Sequence, residues 1–94
     1  MLTDQAAAIK LERGHLLGEL RRVPGVTAYP SDANFILFRI SEAERIFDGL
    51  KRRGVLIKSL HGSHRLLADC LRVTVGTPDE NTAFLSALTQ TLNA

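Results

Sequence analysis

Two basic residues lie at or within otherwise apolar stretches of the chain, and this makes them the first candidates for chemistry. Arg72 stands between Leu71 and Val73 in "LRVTVGTPDEN", and Lys58 ends the stretch "GVLIK". In a strand, Arg72 would point to the face opposite Leu71 and Val73. A guanidinium is seldom fully buried without a partner. That face therefore meets water, a carboxylate of the protein, or a bound anion.

The chemistry of the two side chains makes an anion site the functional interpretation. The planar guanidinium of Arg72 suits bidentate binding of a carboxylate or phosphate, whereas the ammonium of Lys58 acts as a point charge. The alternative is a surface cation or an internal ion pair, with Asp69 and Glu42 among the acids that would serve as partners. On the residues alone, both interpretations stay open.

Other reactive side chains lack the neighbours that their chemistry needs. His61 and His64 make a weak metal pair, because no cluster of cysteine or aspartate supports them. Cys70 has no identifiable histidine partner, and we expect it to be a small buried hydrophobe. Gly76 precedes a helix start, where Thr77 is most simply a helix cap. We therefore predict no catalytic, cofactor-binding or metal-binding residue in the chain.

The composition narrows the class of protein. The 94 residues carry a formal net charge of +2, 5% aromatic residues and no tryptophan. Aromatic residues are too few and basic residues too scattered for a nucleic-acid-binding surface. No apolar run reaches the roughly 18 residues of a membrane helix. The single cysteine fits a reducing cytoplasm, where we expect the protein to reside, and the length predicts one small domain over residues 1–94.

Apolar periodicity and turn residues predict the order helix, strand, strand, helix, strand, strand, helix. The predicted helices are residues 3–22, a helix opened by a capping box of Ser41 and Glu44, and a final helix capped by Thr77. The predicted strands are residues 26–29, 34–40, 55–58 and 70–75, and residues 59–69 are expected to form a long loop. The continuous apolar run in 34–40 suggests a strand that is buried on both faces, or nearly so.

Three helices with one apolar stripe each predict an α+β, two-layer fold, in which about four mostly antiparallel strands carry about three helices on one face. Leu71 and Val73 then face the core, while Arg72 and Thr74 face the open side of the sheet. Phe47 belongs to the apolar stripe of the second helix, and we expect its replacement by alanine to be among the costliest changes if it is fully buried.

Three segments resemble, in this order and spacing, the C-terminal segment of histidinol-phosphate aminotransferases: "YPSDANFILFRI", "GVLIKS" and "CLRVTVGTPDENTAFLSAL". These enzymes are fold-type I, pyridoxal-phosphate-dependent aminotransferases. The resemblance implies the small domain of an enzyme of histidine biosynthesis, which closes over a cofactor held mainly by a large domain. It also implies that Arg72 grips the carboxylate of an amino-acid substrate. Lys58 takes a position near the substrate's phosphate ester where the family tends to have arginine, so it keeps the charge and loses the fork geometry.

The same resemblance implies that the chain is part of an enzyme. The family's Schiff-base lysine, its aspartate for the cofactor ring and its phosphate cup lie far upstream, and Lys10, Lys51 and Lys58 are the only lysines here. The expected function is therefore a carboxylate-binding small domain that is inactive alone, holds no cofactor itself and has a large domain as its partner. The alternative is a free-standing carboxylate-binding or regulatory module.

The resemblance also implies that the chain self-associates when it is separated from a large domain. Leu2, Ile9 and residues of the 35–38 strand would then expose apolar surface. Large exposed apolar patches promote association between molecules.

Overall fold

The computed structural model describes the backbone of residues 2–93 and the side chains of residues 8–93. Within these ranges the chain forms three α-helices and four β-strands in the predicted order. The helices are α1 (Leu2–Arg22), α2 (Ala43–Arg52) and α3 (Pro78–Leu92). The strands are β1 (Val26–Ala28), β2 (Phe35–Ile40), β3 (Lys58–Ser59) and β4 (Cys70–Thr74), and a short 3-10 helix, Arg65–Leu67, lies between β3 and β4.

The four strands form one antiparallel sheet in the order β1-β2-β4-β3. At its centre is the β2–β4 pair, in which Ile36 lies opposite Val73 and Phe38 lies opposite Leu71. All four of these residues are buried. Because side chains alternate between the two faces of a strand, this register sends every second residue of β2 and β4 into the core.

All three helices pack on this buried face of the sheet. Phe38 of β2 meets Phe84 of α3 edge to face, with ring centroids 6.0 Å apart, in a geometry that aromatic pairs favour. The helices bury one apolar stripe each in the same core, which contains Leu16 and Leu20 of α1, Ile46 and Leu50 of α2, and Phe84 and Leu88 of α3. The predicted α+β, two-layer fold with helices on one face of an antiparallel sheet is confirmed.

The second face of β2 is more exposed than its continuous apolar sequence suggested. Every second residue of the strand is buried, but Phe35 and Leu37 are half-buried and Arg39 is exposed. The prediction of a strand buried on both faces is therefore wrong for this chain, because the helices cover only one face. We call the opposite side of the sheet the open face, and it carries Phe35, Leu37 and Arg39 from β2.

β3 is shorter than the predicted strand over residues 55–58. Only Lys58 and Ser59 pair with β4, and Leu56 is 76% exposed. The Val55 N–H donates instead to the Leu50 carbonyl at 2.9 Å and so closes the C-terminal end of α2. A backbone donor that is used in this way is not available to a β-ladder, so the strand begins later than its apolar sequence suggests.

The start of α2 differs from the prediction of a capping box. Ser41 and Glu44 do not form one, and the residue before the helix, Glu42, has the left-handed backbone (φ 60) and provides no side-chain cap. The first helical N–H, that of Ala43, donates at 3.3 Å to the carboxylate of Asp69, which comes from the loop before β4. The cap is therefore a tertiary contact, and Glu44 instead accepts a hydrogen bond from the Ser59 hydroxyl.

The start of α3 forms as its sequence predicts. The Thr77 hydroxyl accepts the Glu80 N–H at 3.2 Å, and the Glu80 carboxylate accepts the Thr77 N–H at 2.9 Å. These bonds satisfy N–H groups that a helix start leaves unpaired. The Thr77 backbone N–H, helped by its hydroxyl, lowers the pKa of the Glu80 carboxyl. The cap therefore stabilises the fold above the ordinary glutamate pKa and is lost as the pH falls through the lowered value.

Among the described side chains of α1, from residue 8 onward, the buried ones lie in the second half of the helix. Leu16 and Leu20 are buried, whereas Ile9 and Leu11 are 45% and 61% exposed. Leu2, which we expected to be exposed, lies outside the described side chains. The part of α1 around Ile9 therefore presents apolar surface away from the core. Among residues 2–93, no helix is long and apolar enough to cross a membrane.

The burial pattern changes which phenylalanine should matter most to stability. Phe47 is only partly buried, so the condition for a large cost is not met, whereas Phe38 is fully buried. Phe38→Ala should lower the free energy of unfolding by about 3–5 kcal/mol, and Phe47→Ala should lower it by less. Urea denaturation followed by circular dichroism measures both. A larger loss for Phe47→Ala would contradict the packing of α2 described here.

Gly49 of α2 lies in a close contact between two helices. A Cβ atom at this position would collide with the side chain of Thr91 in α3, which is itself buried. Gly49→Ala should therefore destabilise the fold by roughly 1–3 kcal/mol, although alanine favours helix. The matched control is Gly18→Ala in α1, where nothing lies near the added Cβ, and we expect a gain of about 0.5–1 kcal/mol. Stabilisation by both changes in thermal unfolding would show that the helix contact relaxes freely.

Candidate functional site

The two basic residues singled out from the sequence lie directly opposite each other in the sheet. The β3–β4 register pairs Lys58 with Arg72, and the β2–β4 register places Leu37 on the other side of Arg72. Residues opposite each other in an antiparallel pair point to the same face, with Cβ atoms about 4.5–5.5 Å apart. Leu71 and Val73, on either side of Arg72, are in the core. Lys58 and Arg72 therefore project together from the open face, and the alternation along β4 predicted this orientation for Arg72.

The guanidinium of Arg72 is supported by an aromatic ring. Its central carbon lies 4.9 Å from the centroid of the Phe35 ring, and the residue is half-buried. Phe35 lies opposite Thr74, two residues along β4 from Arg72, so ring and guanidinium are diagonal neighbours on the open face. A cation over an aromatic ring gains about 0.5–1 kcal/mol at an exposed site. The contact holds the guanidinium in place without using its N–H donors.

The acids that we considered as ion-pair partners of Arg72 are engaged elsewhere. The Asp69 carboxylate accepts the Ala43 N–H and lies 3.8 Å from Nδ1 of His61. The Glu42 carboxylate lies 3.3 Å from the guanidinium of Arg45. Among the side chains of residues 8–93, no acid comes within ion-pair distance of Arg72 or Lys58. An internal ion pair with Asp69 or Glu42 is therefore the wrong interpretation for Arg72.

Two cations that face each other across strands, without an acid nearby, disfavour the pairing that holds them. Like charges directly opposite in a sheet are destabilising, and an anion placed between Lys58 and Arg72 would relieve the repulsion. The donor set is a planar fork beside an ammonium, which suits a carboxylate on Arg72 or a larger oxyanion that spans both residues. The arrangement can therefore bind and orient an anion.

The two histidines of the β3–β4 connection have structural roles. Nδ1 of His61 accepts the Asp69 N–H at 2.9 Å, and Nδ1 of His64 accepts the Leu66 N–H at 3.1 Å. Cys70 is fully buried, as expected of a small hydrophobe. Over the part of the chain that the structure describes, no group of three or more potential metal ligands comes together. Nδ1 of each histidine accepts a backbone N–H of the connection itself.

The sequence interpretation missed Phe35 and the pairing of Lys58 with Arg72. Strand parity already placed Phe35 and Leu37 on the same face as Arg39, so the composition of the open face was within reach. The register between β3 and β4 was not, because it depends on where α2 ends and on how residues 60–69 return the chain to the sheet. The residue types pointed to the right side chains, and the tertiary structure brings them together.

The cofactor that the resemblance implies does not fit the lysines of this chain. Lys10, Lys51 and Lys58 are exposed and belong to three different elements, α1, α2 and β3. A Schiff-base site needs its lysine beside groups that hold the cofactor ring and phosphate. Lys58 has Arg72 opposite, and no acid within ion-pair distance among the described side chains can serve the ring nitrogen. We therefore derive no cofactor chemistry from these residues.

Comparison with known proteins gives several curated relatives, although no protein-family model matches the chain. The chain is 58% identical over 89 residues to histidinol-phosphate aminotransferase 2 of Nitrosococcus oceani, a match that covers 93% of this chain and 25% of that protein. It is 52% identical over 84 residues to histidinol-phosphate aminotransferase of Chromobacterium violaceum, covering 89% of this chain and 24% of that protein. The chain thus spans about a quarter of the length of these curated relatives.

Solved structures share the fold. The histidinol-phosphate aminotransferase from Clostridium acetobutylicum matches with a TM-score of 0.83 and 26% identity, over 94% of this chain and 28% of that one. The L-threonine-O-3-phosphate decarboxylase from Porphyromonas gingivalis matches with a TM-score of 0.80 and 25% identity, over 90% of this chain and 27% of that one. Sequence and fold agree that the chain matches a segment, about a quarter of the full length, of the histidinol-phosphate aminotransferases, which are fold-type I pyridoxal-phosphate-dependent aminotransferases.

Proposed function

We propose that the chain is the substrate-binding small domain of a pyridoxal-phosphate-dependent aminotransferase of the histidinol-phosphate type, and that it is inactive alone. The observation that carries the proposal is the pairing of Lys58 with Arg72 on the open face, where no described acid neutralises them. In this function Arg72 holds the carboxylate of an amino-acid substrate, and Lys58 supplies the second positive charge. The chain's part in the reaction is to bind and orient the substrate.

The position of Arg72 suits the orientation of a carboxylate. Its neighbours Leu71 and Val73 are fixed in the core, so the guanidinium starts from a well-placed backbone. Phe35 covers one side of the guanidinium and leaves its N–H edge free. Two parallel N–H···O bonds would then fix both the place and the angle of a carboxylate, which the ammonium of a lysine cannot do as well.

Lys58 is relevant to a second type of anion, a phosphate group. The names of two relatives concern phosphorylated compounds, histidinol phosphate and L-threonine-O-3-phosphate. A phosphate group has more charge and more acceptor oxygens than a carboxylate and can contact Lys58 and Arg72 together. Because an ammonium is a point charge without a fixed fork, Lys58 would tolerate phosphate groups at several angles and select among them only weakly. We therefore propose that Lys58 neutralises charge on the substrate and that Arg72 orients the substrate.

The open face and the exposed part of α1 suggest the partner. Phe35 and Leu37 are half-buried, Ile9 and Leu11 are exposed, and the curated relatives are about four times as long as this chain. We propose that a large domain of the aminotransferase type covers these surfaces and completes the substrate site, and that the isolated chain self-associates through them. Because half of the site is then missing from the chain, anion affinity should be weak, on the order of millimolar.

Anion binding by the isolated chain tests the role of Arg72. L-glutamate at high concentration should shift the NMR signals of Arg72 and Thr74. Arg72→Lys should weaken this binding by about fivefold, the cost of losing one bond of a bidentate pair, and leave the melting temperature nearly unchanged. The control is Arg52→Lys at the exposed end of α2, which makes the same chemical change and should leave the binding as it is. Equal affinities of the two variants would remove Arg72 from the proposed function.

Borohydride trapping tests whether the chain holds the cofactor alone. Because its three lysines are exposed and separated, mixing the chain with pyridoxal phosphate and reducing it should give sparse labelling of several lysines, and transamination should be absent. Mass spectrometry of the reduced protein measures the stoichiometry and the site. A single stoichiometric adduct at one lysine would overturn the assignment as an incomplete enzyme and favour a free-standing module.

A further inference from the structure

A third cation on the open face, Arg39, differs from Arg72 and Lys58 because each of its three guanidinium nitrogens donates a hydrogen bond to the protein. Its Nε donates to the Ala68 carbonyl at 3.1 Å and its Nη2 to the Leu66 carbonyl at 2.6 Å. Its Nη1 donates to the Tyr29 hydroxyl at 2.9 Å, and the guanidinium carbon lies 5.9 Å from the centroid of the Tyr29 ring. The three arms of one guanidinium thus join β2, the residue after β1 and the connection before β4.

The segment that Arg39 holds is the connection from β3 to β4, residues 60–69. At its start the Leu60 N–H donates to the Cys70 carbonyl at 3.0 Å. At its end the backbone carbonyls of Leu66 and Ala68 are tied to Arg39, which lies opposite Cys70 in the β2–β4 register. The connection is exposed over most of its length and contributes no residue to the core cluster. Its attachment to the sheet therefore depends on polar contacts, those of Arg39 together with the bond from the Ile40 N–H to the Asp69 carbonyl at 3.0 Å.

β3 depends on the same connection. The strand has two residues, and it lies at the edge of the sheet with β4 as its sheet partner. Outside the ladder, the Ser59 hydroxyl donates to the Glu44 carboxylate at 2.9 Å. Short edge strands have few bonds to lose and open easily. Ile57, just before β3, packs against the core, so release of residues 66–68 would loosen the end of β3 that leads into the connection and let Lys58 shift from its place opposite Arg72.

We propose that Arg39 is a positioning residue for the anion site: by tying the β3–β4 connection to the central strand β2, it keeps β3 in register and Lys58 opposite Arg72. This inference rests on the proposed function for the identity of the anion, but its geometric part stands on the bonds of Arg39 alone. The chemistry favours arginine at this position, because three acceptors in different directions match a guanidinium fork and not a single ammonium.

Two classes of anion should respond differently to the loss of Arg39. A monocarboxylate such as acetate can bind to the guanidinium of Arg72 alone. The core residues on either side of Arg72 hold it in position, so this binding does not depend on β3. A dianion such as sulfate gains from both cations and therefore needs Lys58 in place. Loss of Arg39 should then weaken sulfate binding by roughly two- to fivefold, the range expected for one exposed charge pair, while acetate binding stays nearly as it was.

The test compares Arg39→Gln with Arg13→Gln, a matched control in the same chain. Arg13 also ties a loop, since its Nη1 donates to the Asp32 and Ala33 carbonyls at 2.9 and 3.2 Å, and its loss removes the same charge. Acetate and sulfate are titrated in NMR while the Arg72 signals are followed. We expect a selective loss of sulfate affinity in Arg39→Gln only. Equal losses of sulfate affinity in the two variants would reduce the effect to net charge and overturn the inference.

A ligand-free measurement keeps this inference distinct from the proposed function. The Leu60 amide, bonded to Cys70, reports on the register of β3 through its hydrogen exchange. It should exchange about tenfold faster in Arg39→Gln, relative to core amides such as that of Phe38, and remain protected in Arg13→Gln. If the unmodified chain bound neither anion at Arg72, the proposed function would fail, while a faster Leu60 amide would still support the positioning role. A Leu60 amide that stays protected in Arg39→Gln would overturn it.

Tyr29→Phe provides a second variant if Arg39→Gln fails to fold. It removes one of the three partners of Arg39 and leaves the ring in place beside the guanidinium. Both the loss of sulfate affinity and the acceleration of Leu60 exchange should then be smaller and in the same direction. If Tyr29→Phe changed neither quantity, and Arg39→Lys also left Leu60 exchange unchanged, the positioning role of Arg39 would be overturned.

Discussion

The register between β2 and β4 is the constraint on which the rest of the structure depends. Phe38 lies opposite Leu71 in the core, and the adjacent pair, Leu37 and Arg72, points to the open face. A slip by one residue would exchange the two faces of a strand and drive the guanidinium of Arg72 into the core, where an unpaired charge is very costly. The apolar packing of one face therefore also determines the direction of Arg72, the proposed anion-binding cation, on the other face.

Local chemistry was readable from the sequence, and contacts between distant segments were not. The capping box of Thr77 and Glu80 lies within four residues and forms as predicted, and the alternation around Arg72 placed it correctly. Ser41 and Glu44 have an equally good local signal for a capping box but do not form one. Asp69, 26 residues along the chain from Ala43, caps the start of α2 instead. The pairing of Lys58 with Arg72 is also a contact between distant segments, because the bond from the Val55 N–H to the Leu50 carbonyl determines where β3 can begin.

Arg39 and Arg72 show how partners determine the role of a side chain. Both are arginines of the open face on neighbouring strands, and the sequence alone does not distinguish a structural role from a binding role. Arg39 meets two backbone carbonyls and a hydroxyl, so each of its three nitrogens already donates a hydrogen bond to the protein. Arg72 meets the face of an aromatic ring, which supports the guanidinium and leaves its donors free. A cation that the fold holds in place without hydrogen bonds to the protein is the one that can bind a ligand.

The weakness of β3 has a thermodynamic consequence for ligand binding. Lys58 and Arg72 repel each other across the β3–β4 pair, so the register that forms the site is also the one that costs electrostatic energy. An anion that bridges the two cations removes this cost. By thermodynamic linkage, the free energy by which the correct register strengthens anion binding equals the free energy by which a bound anion stabilises that register. Arg39 supplies part of that stability in advance, so that less of the binding energy goes into ordering β3. The edge strand can then remain short and weakly paired, and still present Lys58 in the place where a bound anion needs it.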